Sequence, residues 1–254
     1  MAQFADQDFF GGTIRGVVPQ GWIDGSTLRE VPDHQELFLS PTTLSTLIIE
    51  INQRVLRDDA LSILTMLDHQ QPPLGGSSTS NTASTETIDQ AAALYHLHDI
   101  CEEGDTMQIV TPPQRVHLSR LSPSSSYSPS SSIPAYRGVV SFTTPARQRP
   151  GGRVPSSVDG AAAATSTAPS AAVGGAALNG ETNALPQTSR LTCHYLVVRL
   201  EPQATDLVVF LNVPHEEFDT RGDPRGLSRE EVVAEELVEA LVQKLEVCDW
   251  GLFV

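Results

Sequence analysis

From Arg149 to Thr188 the chain reads RPGGRVPSSVDGAAAATSTAPSAAVGGAALNGETNALPQT, a tract of Ala, Gly, Ser and Pro with few large apolar side chains. Such residues cannot bury enough surface to offset about 1–2 kcal/mol of backbone entropy per residue. Residues 70–86 (QQPPLGGSSTSNTASTE) and 119–134 (SRLSPSSSYSPSSSIP) share the bias. Patterned sequence resumes after each, so 70–86, 119–134 and 149–188 read as disordered insertions within one domain spanning residues 8–254. They also account for an apolar content of only 39%, below the roughly 45–50% of compact chains. The folded part is therefore shorter than the chain.

The formal charge is −15, from 31 Asp and Glu against 16 Lys and Arg. Such a field repels phosphate backbones and anionic lipid, which argues against nucleic acid and membrane and for a basic protein surface. No apolar run approaches the roughly 18 residues of a membrane-spanning helix. Cys101, Cys193 and Cys248 are far apart and form no CxxC pair, so neither a disulfide framework nor structural zinc is expected. The start, MAQFADQDFFGG, carries acidic residues where a secretory or mitochondrial leader carries basic ones. A reducing compartment is expected: cytosol, nucleus or both.

Strands are predicted at Thr13–Val18, Glu36–Leu39, Leu47–Gln53, Arg137–Phe142, Leu191–Leu200 and Asp206–Val213. The short polar link Glu201–Thr205 joins the last two as a hairpin. On the third strand Leu47, Ile49 and Ile51 point one way, and Ile48, Glu50 and Asn52 the other. Helices are predicted at Asp59–Asp68, at Ile88–Tyr95 and near the C-terminus. There Ser228-Arg229-Glu230-Glu231 has a capping-box form, with Ser228 as N-cap. Val233, Leu237, Leu241 and Leu245 follow as an apolar stripe, with Glu239 off it. Asp249 to Phe253 supplies aromatics to close the core edge. The fold class is α+β, an antiparallel sheet covered by helices.

Chemical motifs are scarce. GxGxxG, GxxxxGK[ST], GxSxG and HExxH are all absent. In Tyr95-His96-Leu97-His98-Asp99 the two histidines would share a face on a strand and begin a metal site; the plainer reading is a polar segment, and without a third ligand no metal is assigned. His215-Glu216-Glu217 reads as a polar turn. Arg221-Gly222-Asp223 spells the integrin tripeptide, here expected as a solvated loop. Ser122-Pro123, Ser128-Pro129 and Thr144-Pro145 match proline-directed phosphorylation, as any Ser/Pro tract does.

Trp22 to Glu36 (WIDGSTLREVPDHQE) is dense in groups that fix loops: Asp24 and Asp33 for Asx turns, Ser26 for a cap, Pro32 for a fixed φ. Two readings stand open. One is a well-tied connection between strands. The other is a rigid acidic platform of Asp24, Glu30, Asp33 and Glu36, with Glu50 nearby.

Phe9 to Leu39, FFGGTIRGVVPQGWIDGSTLREVPDHQELFL, closely resembles the N-terminal signature of the Ran guanine nucleotide release factor family, the Mog-type Ran-binding proteins. The resemblance continues through Ser45–Val55, Asp89–Val110, Tyr136–Phe142, Leu191–Val213 and the last helix. It implies one α/β/α sandwich with a central antiparallel sheet, like that shared with the photosystem protein PsbP. It also implies a nuclear and cytoplasmic protein that binds the GTPase Ran, favours release of its nucleotide and supports nuclear import. The family's Ran-contacting surface includes two acidic residues three apart on the strand after the signature loop. Along LIIEINQRV the first falls on Glu50 and the second on Gln53, which is not acidic. Asp24, Arg29, Glu30, Asp33 and Glu36 match or border the signature loop.

The expected function is non-catalytic: a monomer without cofactor that binds a Ran-type GTPase through Asp24, Arg29, Glu30, Asp33, Glu36, Glu50 and Gln53. Two alternatives remain. One is a hydrolase using paired carboxylates such as Asp24 with Glu50, which requires a pocket and a raised carboxylate pKa. The other is a PsbP-like ligand-binding or scaffold protein without Ran activity.

Overall fold

The computed structural model describes residues 2–70, 83–121, 132–145 and 188–253. Seven strands make one wholly antiparallel sheet: β3 (Ile23–Asp24), β4 (Gln35–Leu39), β5 (Thr46–Gln53), β6 (Thr106–Val116), β7 (Ala135–Thr144), β8 (Ser189–Leu200) and β9 (Thr205–Pro214), in the spatial order β3-β4-β5-β9-β8-β7-β6. A smaller sheet takes β1 (Phe4–Phe9), β2 (Ile14–Pro19) and β10 (Glu246–Val247). Helices α1 (Arg57–Gln70) and α2 (Thr85–Asp99) cover one face of the large sheet. On the other lie the small sheet and α4 (Pro224–Lys244), which follows the short α3 (Glu216–Arg221). This is the expected sandwich.

The central strands β8 and β9 are buried along nearly their whole length. Because both faces are covered, they read as near-continuous apolar runs rather than alternating ones. Leu196, Val198 and Leu200 pack towards α4 with Leu237 and Leu241. Cys193, Tyr195 and Val197 pack towards α2 with Leu94 and Leu97, and Ile63 of α1 joins them. The β8–β9 hairpin forms as predicted, closed by a 3-10 turn at Glu201–Gln203. Strand β2 crosses α4 so closely that a Cβ on Gly16 would lie 2.8 Å from the Phe9 ring and 3.0 Å from Leu241. Trp250, Leu252 and Phe253 pack against the same core from a terminal 3-10 turn.

Several details correct the sequence reading. Strands β1 and β6 went unpredicted because both are edges. β1 carries Asp6 and Asp8 among its six residues, and β6 contains Pro112 and Pro113 beside register shifts, a composition that edges and bulges tolerate. Ser228 is not the N-cap of α4. Asp223 is: its carboxylate accepts from the Gly226 amide, and Pro224 occupies the first helical position. Ser228 lies one turn inside and donates to the Pro224 carbonyl. Val233 is only half-buried, and Ala234, Val238 and Val242 widen the stripe. Arg221-Gly222-Asp223 is a helix–helix joint in which Gly222, at φ 63°, ends α3. The segment Tyr95–Asp99 belongs to α2, so His96 and His98 do not share a strand face. Among the described residues no group of three or more His, Cys, Asp or Glu is placed to hold a metal, and no helix is long and apolar enough to cross a membrane.

The proposed insertions fall largely outside the described residues, as do Ser122 and Ser128, but their edges are narrower than 70–86 and 119–134. Ser84 caps α2 by accepting from the Thr87 amide, and Leu121 and Ile133 are buried in the core.

Candidate functional site: an acidic groove at the end of β5

Register fixes where Glu50 points. It pairs with Gln35 of β4 and Val208 of β9, and Val208 belongs to the core beneath α1 and α2. Glu50 therefore faces the α1/α2 side, opposite Leu47 and Ile49. Its carboxylate accepts from the Gln35 side-chain amide and, at 3.3 Å, from Asn52 Nδ2. It lines a groove of about 430 Å³ between the end of β5, the start of α1 and the last turn of α2. Among the described residues, three carboxylates, Glu50, Asp59 and Asp99, line this groove against one guanidinium, Arg54. Leu56 and Ile100, also in the lining, are 69% and 47% exposed. Acidic groups flanked by exposed apolar side chains suit a protein surface that is basic with apolar anchors.

Below the groove lies a buried ionic network. Arg199 is 1% exposed within an otherwise apolar strand. Its guanidinium donates to Asp206 Oδ1 at 3.2 Å, Asp89 Oδ1 at 2.6 Å and the Val55 carbonyl at 2.6 Å. Asp206 Oδ2 accepts from the Val55 amide and contacts His96 Nε2, each at 3.0 Å. Burial pushes the Asp89 carboxyl up, and the nearby Arg199 only partly offsets it. Burial also acts on Asp206, but bonds from His96, Arg199 and the Val55 amide outweigh it and hold that carboxyl below its ordinary range. His96 and Val55 line the groove and touch this network, so the groove floor rests on a fixed ionic base.

The candidate residues divide. Glu50 and Gln53 come together in the groove. Three apart on a regular strand they alternate in facing, and Gln53, the last residue of β5, borders the groove from the strand's end. Arg29, Glu30 and Asp33 are exposed on the connection between β3 and β4. That connection is tied by Asp24 accepting from the Ser26 amide and by the Ile51 amide bonding the His34 carbonyl. Glu36 does not join Glu50. It pairs with Ile49, faces the α4 side and accepts from the Phe10 amide at 2.6 Å. Burial raises its pKa. It holds Phe10, whose φ is 49°, so its task is structural. Asp24 pairs with Phe38 of the same core, which puts it across the sheet from Glu50 and removes the Asp24–Glu50 acid/base pair. The single platform is thus corrected to two faces. Asp59, Asp99 and Leu56 were not singled out from sequence. Only Asp99 carried a signal, as part of the flagged segment ending α2.

The described residues thus form a sandwich whose large sheet is wholly antiparallel, with an acidic, apolar-rimmed groove on its α1/α2 side. A family model described as "Ran-interacting Mog1 protein" matches residues 7–214, and the chain belongs to that family. It is 48% identical over 46 residues to the human Ran guanine nucleotide release factor, covering 18% of this chain and 25% of that one. It is 58% identical over 33 residues to the nuclear import protein MOG1 of Saccharomyces cerevisiae, covering 13% and 15%. The chain thus aligns with about a quarter or less of these relatives' length. The crystal structure of the Saccharomyces cerevisiae Ran-binding protein Mog1p superposes with a TM-score of 0.52 at 20% identity, covering all of both chains. A glutamate-to-alanine mutant of protein Mog1 gives 0.51 at 18%, covering 99% and 100%. These two likenesses establish the fold.

Proposed function

We propose that this chain is a non-catalytic, monomeric binding protein for a Ran-type small GTPase that promotes guanine nucleotide release and supports nuclear protein import, acting in nucleus and cytoplasm. The observation that carries the reading is the groove at the end of β5, where Glu50 and Gln53 lie together among Asp59, Asp99, Leu56 and Ile100. Membership of a Ran-interacting family supports it, as do relatives named as Ran release factors. The net charge of −15 steers a basic partner, an effect that salt screens. Nucleotide release requires no bond-making here. It requires tighter binding to the nucleotide-free GTPase than to the loaded one, because coupling between two ligands is reciprocal. About 1.4 kcal/mol of such preference weakens nucleotide binding tenfold.

The test is titration of nucleotide-free Ran with variants at two salt concentrations, beside release of a labelled guanine nucleotide. Glu50→Lys is expected to lower affinity at least tenfold while circular dichroism and thermal midpoint stay near wild type. Gln53→Glu restores an acidic residue and is expected to strengthen binding, more at low salt than at high. If folded Glu50→Lys binds and releases nucleotide like wild type, the groove is not the interface. The exposed Arg29–Asp33 connection then becomes the candidate.

A further inference from the structure

A second lined surface runs on the opposite side of the large sheet. Two adjoining hollows, about 830 and 540 Å³, follow α4 and share Arg137 and Glu235. Val139 of β7 and Val238 of α4 lie in the first, and Phe4 and Ala240 in the second. Val110 and Val232, also in the lining, are 58% and 52% exposed. Four glutamates, Glu231, Glu235, Glu236 and Glu239, form the helix wall at successive turns.

Their charges are unevenly used. Glu239 pairs with Arg137, the one arginine or lysine among the described residues that line either hollow. Glu231 contacts His194 at 2.6 Å and His215 at 3.5 Å. Glu236 accepts from the Ala2 amide. Glu235 is exposed and unpaired among the described residues. The surface thus offers apolar contacts along its floor and rim with surplus negative charge along one wall.

We propose that this groove docks a basic segment of a protein partner, with valine- or leucine-sized side chains on the floor and lysine or arginine against Glu235 and Glu236. Charge complementarity selects the occupant: the wall repels acidic peptides and phosphate backbones. The α4 residues from Glu231 to Gln243 extend about 18 Å at 1.5 Å per residue, enough for five or six extended residues at about 3.3 Å each. This surface is separate from the Glu50 groove, since the sheet lies between them, and it does not depend on the reading given to that groove.

The experiment titrates the full chain with fluorescein-labelled Lys-Val-Lys-Val-Lys-Val, read by anisotropy at moderate salt, with ¹⁵N amide shifts to locate the contact. Binding is expected with shifts clustered at Val110, Val139 and Glu235. The peptide Glu-Val-Glu-Val-Glu-Val is expected to bind at least tenfold more weakly. Val232→Asp combined with Glu235→Lys, both at exposed positions, is expected to weaken the basic peptide at least tenfold with an unchanged thermal midpoint. Glu50→Lys is expected to change it less than twofold. Absence of binding to the wild-type chain, equal binding of both peptides, or shifts and losses that follow Glu50 instead each overturn the proposal.

Discussion

On one face of the large sheet, α4 brings Ala234, Leu237, Val238, Leu241 and Val242 onto Leu196, Val198 and Leu200. On the other, α2 brings Asp89 and His96 down onto Arg199 and Asp206, among apolar neighbours. The first face is fastened by apolar area, roughly 25 cal/mol per Å² buried. The second adds four titratable groups whose desolvation must be offset by geometry. Asp89 and Asp206 share one arginine yet shift in opposite directions, because Asp206 alone also holds His96 and the Val55 amide. An apolar face tolerates sliding between similar packings. A buried ionic network has one arrangement that satisfies every member, and a break in it leaves charge stranded.

That contrast predicts the largest effect in the molecule. Arg199→Met retains bulk but strands buried Asp89 and the Val55 carbonyl and takes one partner from Asp206, and is expected to cost about 3–5 kcal/mol. Chemical denaturation measures it; a cost below about 1 kcal/mol would mean that the network is incidental and the two faces do not differ. On the apolar face, Leu241→Ala is expected to cost about 2–5 kcal/mol, near the upper end if β2, pressed close at Gly16, cannot relax into the cavity. Together the two variants ask whether one charge matters as much as one buried leucine.

The same contrast explains what could be read from sequence. The apolar stripe of α4 and the β8–β9 hairpin were legible, since burial of a continuous face leaves a period. The network was not, although Arg199 within LVVRL and Asp206 before LVVF are charges inside apolar runs. Their partners, Asp89 and His96, are more than a hundred residues away from them, and periodicity holds no information about such pairings. The site divided the same way. Glu50 and Gln53 were legible from the signature that precedes them, whereas Glu36 looked like a surface acid because nothing in the sequence ties it to the Phe10 amide. Asp59 and Asp99 join the groove only through the docking of two helices on β5.

Acid titration tests the carboxylate–imidazole contact that the α4 face adds to its apolar packing. At Glu231, burial pushes the carboxyl up, but bonds from His194 and Thr192 and the nearby imidazoles outweigh it and leave it below its ordinary range. Its folded pKa is thus below its unfolded one of about 4.3. The stabilisation is complete above that unfolded value and is lost as pH falls through the folded one. Glu231→Gln is expected to cost about 1.5–3 kcal/mol at pH 7, as loss of a charged hydrogen bond does. The gap between variant and wild type should close as denaturation is repeated towards pH 3. A gap constant with pH would show that the pair's contribution is packing rather than ionisation.

The smallest expected effect decides how α4 begins. Both Asp223 and Ser228 are of residue types that cap helices, but only Asp223 has its oxygen on an early amide, that of Gly226. Ser228 instead donates to the Pro224 carbonyl four residues back, a bond that does little for a helix already formed. Asp223→Ala is therefore expected to cost about 1 kcal/mol, and somewhat more if its 3.5 Å ion pair with Arg229 contributes. Ser228→Ala is expected to shift stability by less than about 0.5 kcal/mol, since alanine favours helix interiors. Thermal melts of both, with amide exchange at Gly226 and Leu227, measure the difference. Equal losses would mean that the first turn frays and the helix effectively starts at Ser228, so that the apolar face of α4 is anchored one turn later than its hydrogen bonds indicate.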